Sequence, residues 1–321
     1  MFLSIIILLV GFVILIKGAD LLVDGSSGIA RKYGVSELAI GLTVVAFGTS
    51  MPELVVSLIS STQGYSDIVY GNVIGSNLFN LLFILGVAGA IFPLTVQNQT
   101  VWKEIPFSLF VTVLMVVLAN DVWVWGGEQN ILSRYDASIL VVLFVGFVLY
   151  ILRSMKNNEF TLDTPSTETP KPNWKLITFI VLGLVGLVGG GKLVVDNSVF
   201  IARSFGLSEK LIGLTIIAAG TSLPELATSA VAAFKRNSDI AVGNIIGSNI
   251  FNVLLILGVS AFITPAPFTT ELNLDIAILL GATMILFVAM FTGKMQKLDR
   301  WEAMLLFLAY LVYLVYLIYR N

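Results

Sequence analysis

Histidine and cysteine are both absent from the 321 residues. Without them the chain cannot build a His or Cys zinc site, a haem ligand, a thiol nucleophile or a disulfide. Charge is scarce as well: Asp, Glu, Lys and Arg together make up 12% of the residues, and the net charge of -2 leaves no basic footprint for a nucleic-acid partner. Charge chemistry must therefore use oxygen, from carboxylates, hydroxyls, amides and backbone carbonyls, which are the ligands of hard cations.

Apolar residues are abundant, at 57%, and the mean hydropathy is +0.95. At about 20 apolar residues per crossing, this length accommodates roughly ten spans and no sizeable soluble domain. Spans are expected near 2–23, 36–60, 68–91, 105–125, 137–152, 175–199, 208–233, 240–263, 272–292 and 301–319. The N-terminus carries no basic n-region and no small-residue cleavage site, so the first of these reads as a retained span. The one long polar stretch, 153–174, is rich in Asn, Thr, Ser and Pro and reads as a linker.

The two halves are copies. Residues 18–87 align without gaps onto 190–259 at an offset of 172 (190 − 18), with about 39 of 70 positions identical. Five spans per half is an odd number, so the second copy must enter the membrane from the opposite side. The fold expected is an all-α polytopic membrane protein of ten transmembrane helices, arranged as two inverted five-helix repeats over 1–152 and 175–321. Lys and Arg agree with this arrangement: Arg31, Lys32, Lys103, Arg153, Lys235, Arg236, Lys297 and Arg300 collect on one side. Gln63 and Gly64 in the first copy become Lys235 and Arg236 in the second, as twin loops on opposite faces require. Both termini are expected outside, with the linker cytoplasmic.

Two polar motifs recur mid-span. Gly48-Thr49-Ser50-Met51-Pro52-Glu53 matches Gly220-Thr221-Ser222-Leu223-Pro224-Glu225, and Gly71 to Asn77 (GNVIGSN) matches Gly243 to Asn249 (GNIIGSN). Proline removes a backbone donor and glycine tolerates unusual dihedrals, so the first motif should break its helix and free carbonyls near Ala46, Thr49, Ala218 and Thr221. A glutamate at the bilayer centre costs at least about 3 kcal/mol, so a symmetric pair calls for a neutralising cation; the alternative is protonation or pairing with Lys17 and Lys192. Ser76 with Asn80, and Ser248 with Asn252, lie one helical turn apart on similar faces. Asn72, Asn77, Asn244 and Asn249 suit bridging between helices, Asp67 and Asp239 suit helix N-caps, and Glu37 and Glu209 suit solvated span entries. The glycines of the first and sixth spans suit close helix packing.

These motifs resemble the paired repeats of the calcium/cation antiporter superfamily, whose best-known branch is the sodium/calcium exchangers. The resemblance implies ten helices and cation sites at mid-membrane, with no enzyme activity and no cofactor. Carried over by position, the ligands implied are Ala46, Thr49, Ser50, Glu53, Ser76 and Asn80 with Ala218, Thr221, Ser222, Glu225, Ser248 and Asn252. It also implies Na⁺ and Ca²⁺ as cargo, the lipid bilayer as surroundings, a cell (inner) membrane location and function as a monomer. Asn80 and Asn252 stand where potassium-dependent members carry Asp, which points to exchange without potassium and keeps Ca²⁺/H⁺ exchange as the competing reading. A cation channel fits less well, because an inverted repeat within one chain implies alternating access.

Overall fold

A computed structural model describes residues 2–156, 172–205, 218–293 and 295–320. Most of the expected linker, together with Glu209 and residues 208–217 of the seventh expected span, lies outside the described residues. Runs of Leu, Ile, Val and Phe without backbone partners of their own must satisfy every peptide group internally, and the chain does so almost wholly with helices. These are α1 (Phe2–Tyr33), α2 (Glu37–Thr49), α3 (Met51–Thr62), α4 (Ser66–Ile91), α5 (Thr100–Ala119), α6 (Arg134–Met155), α7 (Asn173–Ser204), α8 (Leu223–Phe234), α9 (Ser238–Ile263), α10 (Thr270–Ala289) and α11 (Arg300–Arg320). Eight of them are long and apolar enough to cross a membrane, and the bent pair α2 and α3 together passes the same test of length and composition. Helix α8 has only 12 residues, and the segment before it is outside the described residues.

The helices sort by burial. Helices α4 and α9 form the centre, with 72% and 83% of their most apolar windows buried, against 22–28% for α1, α6, α7 and α11. The outer helices present Leu9, Val13, Val142, Val185 and Val312 outward, the surface of a protein dissolved in lipid rather than water.

Helices α1 and α7, each of 32 residues, run about 48 Å at 1.5 Å per residue, well beyond a hydrocarbon core of about 30 Å. The expected first span ended at Val23; the helix continues ten residues further, to Tyr33, and Lys235 pairs with Asp20 and Asp24 where the extension begins, at 2.6 and 2.7 Å. The two long helices touch backbone to backbone. A methyl group at Gly190 would meet the Leu15 nitrogen at 2.6 Å, and one at Gly18 the Leu187 nitrogen at 2.8 Å.

Two short antiparallel ladders tie the halves together across their loops. Strand β1 (Leu94–Thr95) pairs with β4 (Lys297–Leu298), and β2 (Ile131–Leu132) pairs with β3 (Ala266–Pro267). Position by position β3 is β1 shifted by 172, so each half lends the other the same strand. The twin loops are also built alike: Gly64 and Arg236 both adopt left-handed backbone, at φ 78 and 60.

Some local expectations are corrected. Asp67 and Asp239 are not N-caps. Tyr65 precedes α4 without a side-chain cap, and Asn237 caps α9 by accepting from the Ile240 N–H at 3.1 Å. The aspartates sit inside the first turns and accept from Thr269 and Gln97, hydrogen bonds that no local sequence pattern encodes. Glu37 is not merely solvated: Arg31 reaches it at 3.2 Å and the Asn237 amide donates to it, tying α1, α2 and α9 together.

Candidate functional site: a buried cage of oxygen atoms

Where the first polar motif crosses the middle of its span, the helix breaks. Helices α2 and α3 meet at 48°, with Ser50 at the hinge (φ −82, ψ 7) and Pro52 in the opening turn of α3. Ser222 adopts nearly the same dihedrals, φ −88 and ψ 9, before Pro224 in α8. Proline cannot donate to the preceding turn and so favours the start of a new helix. The break turns Glu53 and Glu225 inward, each 1% exposed.

The two breaks face each other and exchange hydrogen bonds. The Ser50 hydroxyl donates to Glu225 Oε1 at 2.8 Å, and the Ser222 hydroxyl donates to Glu53 Oε1 at 2.7 Å. Ser50 also lies 3.0 Å from the Ser248 hydroxyl, and Ser222 lies 3.2 Å from that of Ser76. Among the described residues no Lys or Arg forms an ion pair with either glutamate. Pairing with Lys17 or Lys192 is therefore not how these charges are met.

Amides hold the carboxylates from behind. Asn72 donates to the Glu53 carbonyl at 3.0 Å and to Ser57 at 2.9 Å; Asn244 donates to the Glu225 carbonyl at 3.4 Å and to Ser229 at 3.0 Å. A second set crosses between α4 and α9. Asn80 Nδ2 donates to Asn249 Oδ1 at 3.0 Å, and Asn252 Nδ2 donates to Asn77 Oδ1 at 2.9 Å. Asn77 and Asn249 in turn donate to each other's carbonyls. Because Nδ2 is engaged on one side, Oδ1 of Asn80 and of Asn252 is turned the other way. The bridging roles expected for Asn72, Asn77, Asn244 and Asn249 are seen.

Ten buried side-chain polar atoms among the described residues have no hydrogen-bond partner, and all ten are oxygens. Five come from the sequence-predicted set: Glu53 Oε2, Asn80 Oδ1, Thr221 Oγ1, Glu225 Oε2 and Asn252 Oδ1. Buried oxygens without partners are costly, and a bound cation offsets that cost. Thr221 stands beside Glu53, and Thr49 beside Glu225. The Thr49 hydroxyl donates to Asn244 Oδ1 at 3.0 Å and lies 3.4 Å from the Ala46 carbonyl. Ala218 begins the turn Ala218–Gly220, placed as Ala46 is before Gly48.

Three buried acids fall outside the expected set: Glu104, 1% exposed, Asp275, 2% exposed, and Glu302, 5% exposed. Their sequence signal was a carboxylate at the mouth of an apolar run. The expected fourth span began one residue beyond Glu104, which hid it.

Membrane-length helices packed around buried glutamates at a helix break are an arrangement that secondary transporters use. The family model described as "Sodium/calcium exchanger protein" matches residues 3–153 and 175–319, and the chain belongs to the sodium/calcium exchanger family. It is 37% identical to the "Putative antiporter CaxA" of Alkalimonas amylolytica, with 96% of each chain covered. It is 33% identical to the "Sodium/calcium exchanger MaX1" of Methanosarcina acetivorans, covering 94% of this chain and 95% of that one. Among solved structures it is similar to the sodium-calcium exchanger NCX_Mj soaked without Na⁺ and Ca²⁺, at a TM-score of 0.82 and 30% identity, over 98% of this chain and 99% of that chain.

Proposed function

We propose that the protein is a secondary antiporter that exchanges Na⁺ for Ca²⁺ across a membrane by alternating access. The observation that carries this reading is that Glu53, Asn80, Thr221, Glu225 and Asn252 each keep a buried side-chain oxygen without a partner. Their reading as one site is supported by the reciprocal Ser50–Glu225 and Ser222–Glu53 bonds. The full ligand set is Ala46, Thr49, Ser50, Glu53, Ser76, Asn80, Ala218, Thr221, Ser222, Glu225, Ser248 and Asn252, with alanine and threonine carbonyls acting beside the side chains. Two ionised glutamates are balanced by one Ca²⁺ or by two Na⁺ but not by both together, so the ions compete for one cage, and competition is what couples their movements. An empty cage carries uncompensated buried charge and resists reorientation, which prevents leak.

The architecture belongs to the same proposal. Ten spans form two inverted repeats, 1–152 and 175–321, joined by 153–174; the exchanged strands and twin loops support this layout. Helices α1 and α7 slide across the core along their shared glycine seam. Both termini face outward, the linker faces the cytoplasm, and the monomer works in the inner membrane.

The test is ⁴⁵Ca²⁺ uptake into proteoliposomes loaded with Na⁺, K⁺, choline or acid. Uptake driven by an outward Na⁺ gradient is expected. Uptake driven by protons alone would transfer the chain to Ca²⁺/H⁺ exchange, and none under any gradient would end the calcium assignment.

A further inference from the structure

Four π turns occur among the described residues. Gly41–Val45 ends immediately before Ala46, Phe79–Ile84 contains Asn80, and Asn252–Leu257 opens on Asn252. These three adjoin the central cage. A π turn inserts a residue into the helix and re-aims its side chains, and such turns recur at functional sites. The fourth, Thr100–Glu104, opens α5 and contains none of the proposed ligands.

It nevertheless repeats the pattern of the other three. Thr100 is fully buried and Glu104 nearly so. Glu104 Oε1 accepts from the Tyr150 hydroxyl at 2.7 Å, and that hydroxyl accepts from Gln99 Nε2 at 3.0 Å. Glu104 Oε2 has no hydrogen-bond partner, and neither has Thr100 Oγ1, which lies beside the same carboxylate outside hydrogen-bonding geometry. Ser154 of α6 flanks Tyr150. Lys103, one residue away, lies over the Tyr150 ring at 5.6 Å.

The second half shows how such a carboxylate looks when its needs are met within the chain. Asp275 opens α10 as Glu104 opens α5, one residue off the repeat register (275 − 104 = 171). It accepts from the Tyr313 hydroxyl at 2.9 Å, like its counterpart, but its other oxygen takes Arg320 at 2.9 Å. Glu104 keeps the tyrosine and has no arginine on Oε2.

We propose that Glu104 and Thr100, framed by Tyr150, form a second cation site that takes one monovalent hard cation, Na⁺, in the position the guanidinium holds at Asp275. One carboxylate is neutralised by one positive charge, whereas a divalent ion would leave buried charge of the opposite sign. The donors are all oxygen, which suits Na⁺. The site is separate from the central cage but mechanically close to it. Just before the π turn, Gln97 donates to Asp239 at 2.5 Å, and the Thr95 N–H donates to Ser238 at 3.2 Å. Asp239 and Ser238 begin α9, the helix that carries Asn244, Ser248 and Asn252. An ion at Glu104 therefore steadies the mount of one wall of the cage.

The test uses the full chain in detergent with Glu53→Gln and Glu225→Gln combined, so the outcome does not depend on the exchange reading. Thermal unfolding is followed as NaCl replaces choline chloride at constant ionic strength. A saturable rise of the midpoint is expected in this background and is lost on adding either Thr100→Val or Glu104→Gln. The proposal is overturned if the background shows no Na⁺-dependent rise, or if the rise survives both substitutions. It is equally overturned if Glu104→Gln alone raises the midpoint while Na⁺ does nothing at any pH, since the site then holds only a proton.

Discussion

Glu53 and Glu225 each give one carboxylate oxygen to a serine of the opposite half and keep the other unpartnered. Exchanging either for glutamine removes a charge whose balance defines the cage, a loss of the order of 3–5 kcal/mol for one member of a buried charge pair. Na⁺-driven Ca²⁺ uptake by Glu53→Gln or Glu225→Gln should therefore fall at least about a hundredfold; uptake near the native rate would remove the glutamates from the site. The asparagines behind them act by aiming. Without Asn249, the Asn80 amide loses its acceptor and Asn80 Oδ1 is free to turn away, so Asn249→Ala should weaken Ca²⁺ affinity roughly tenfold, about one hydrogen bond, with less effect on maximal rate. The Ca²⁺ dependence of initial uptake measures this, and an unchanged half-saturation would show that the crossed amides are only structural. The repeated Glu, Ser and Asn of the two motifs were legible in the sequence because they are polar where nothing else is. Glu104 was not, because a single acid at the edge of an apolar run looks like a loop residue until the π turn draws it inward.

Helices α1 and α7 show what repetition of a small residue can accomplish. Gly18 and Gly190 leave no space for a methyl group against the neighbouring backbone, at 2.8 and 2.6 Å. Gly190→Ala must part the helices or strain them, a cost of about 1–3 kcal/mol for overpacking. A lower unfolding midpoint together with slower exchange is expected; if transport slows while the midpoint holds, sliding along the seam rather than stability is what the glycine serves. Lys235 bridges Asp20 and Asp24 of α1 at the end of that seam, and its partners are 39% and 46% exposed, so solvent screens most of the attraction. Lys235→Ala should shift ion affinity on its own face by no more than about fivefold, an effect fading at high salt. A change of orders of magnitude would mean that the bridge is a gate. The extent of α1 could not be read from hydropathy, since its last ten residues include Asp24, Arg31 and Lys32 and interrupt the apolar run.

The expected topology, with its opposed halves, came from an odd number of spans and from two loop residues, Gln63 and Gly64, that became Lys235 and Arg236. The pairing of β1 with β4 and of β2 with β3 lay beyond reach, because two-residue strands carry no periodicity. Since the chain contains no cysteine, an introduced one is its only thiol. Gln63→Cys and Arg236→Cys, both at exposed positions, should react with a membrane-impermeant thiol reagent from opposite sides of sealed vesicles. Labelling from the same side would refute the inverted arrangement.

The crossed amides have a further meaning. Asn77 donates to Asn249 and Asn249 to Asn77, and the Asn80–Asn249 and Ser50–Glu225 bonds are mirrored by Asn252–Asn77 and Ser222–Glu53. Reciprocity of that form is the mark of an isologous contact, in which a patch meets its own copy. On the proposed inverted-repeat layout, the interior of this single chain has the form of an isologous dimer interface joined by a linker. Severing that linker and co-expressing 1–152 with 175–321 should restore an assembled, ion-exchanging pair.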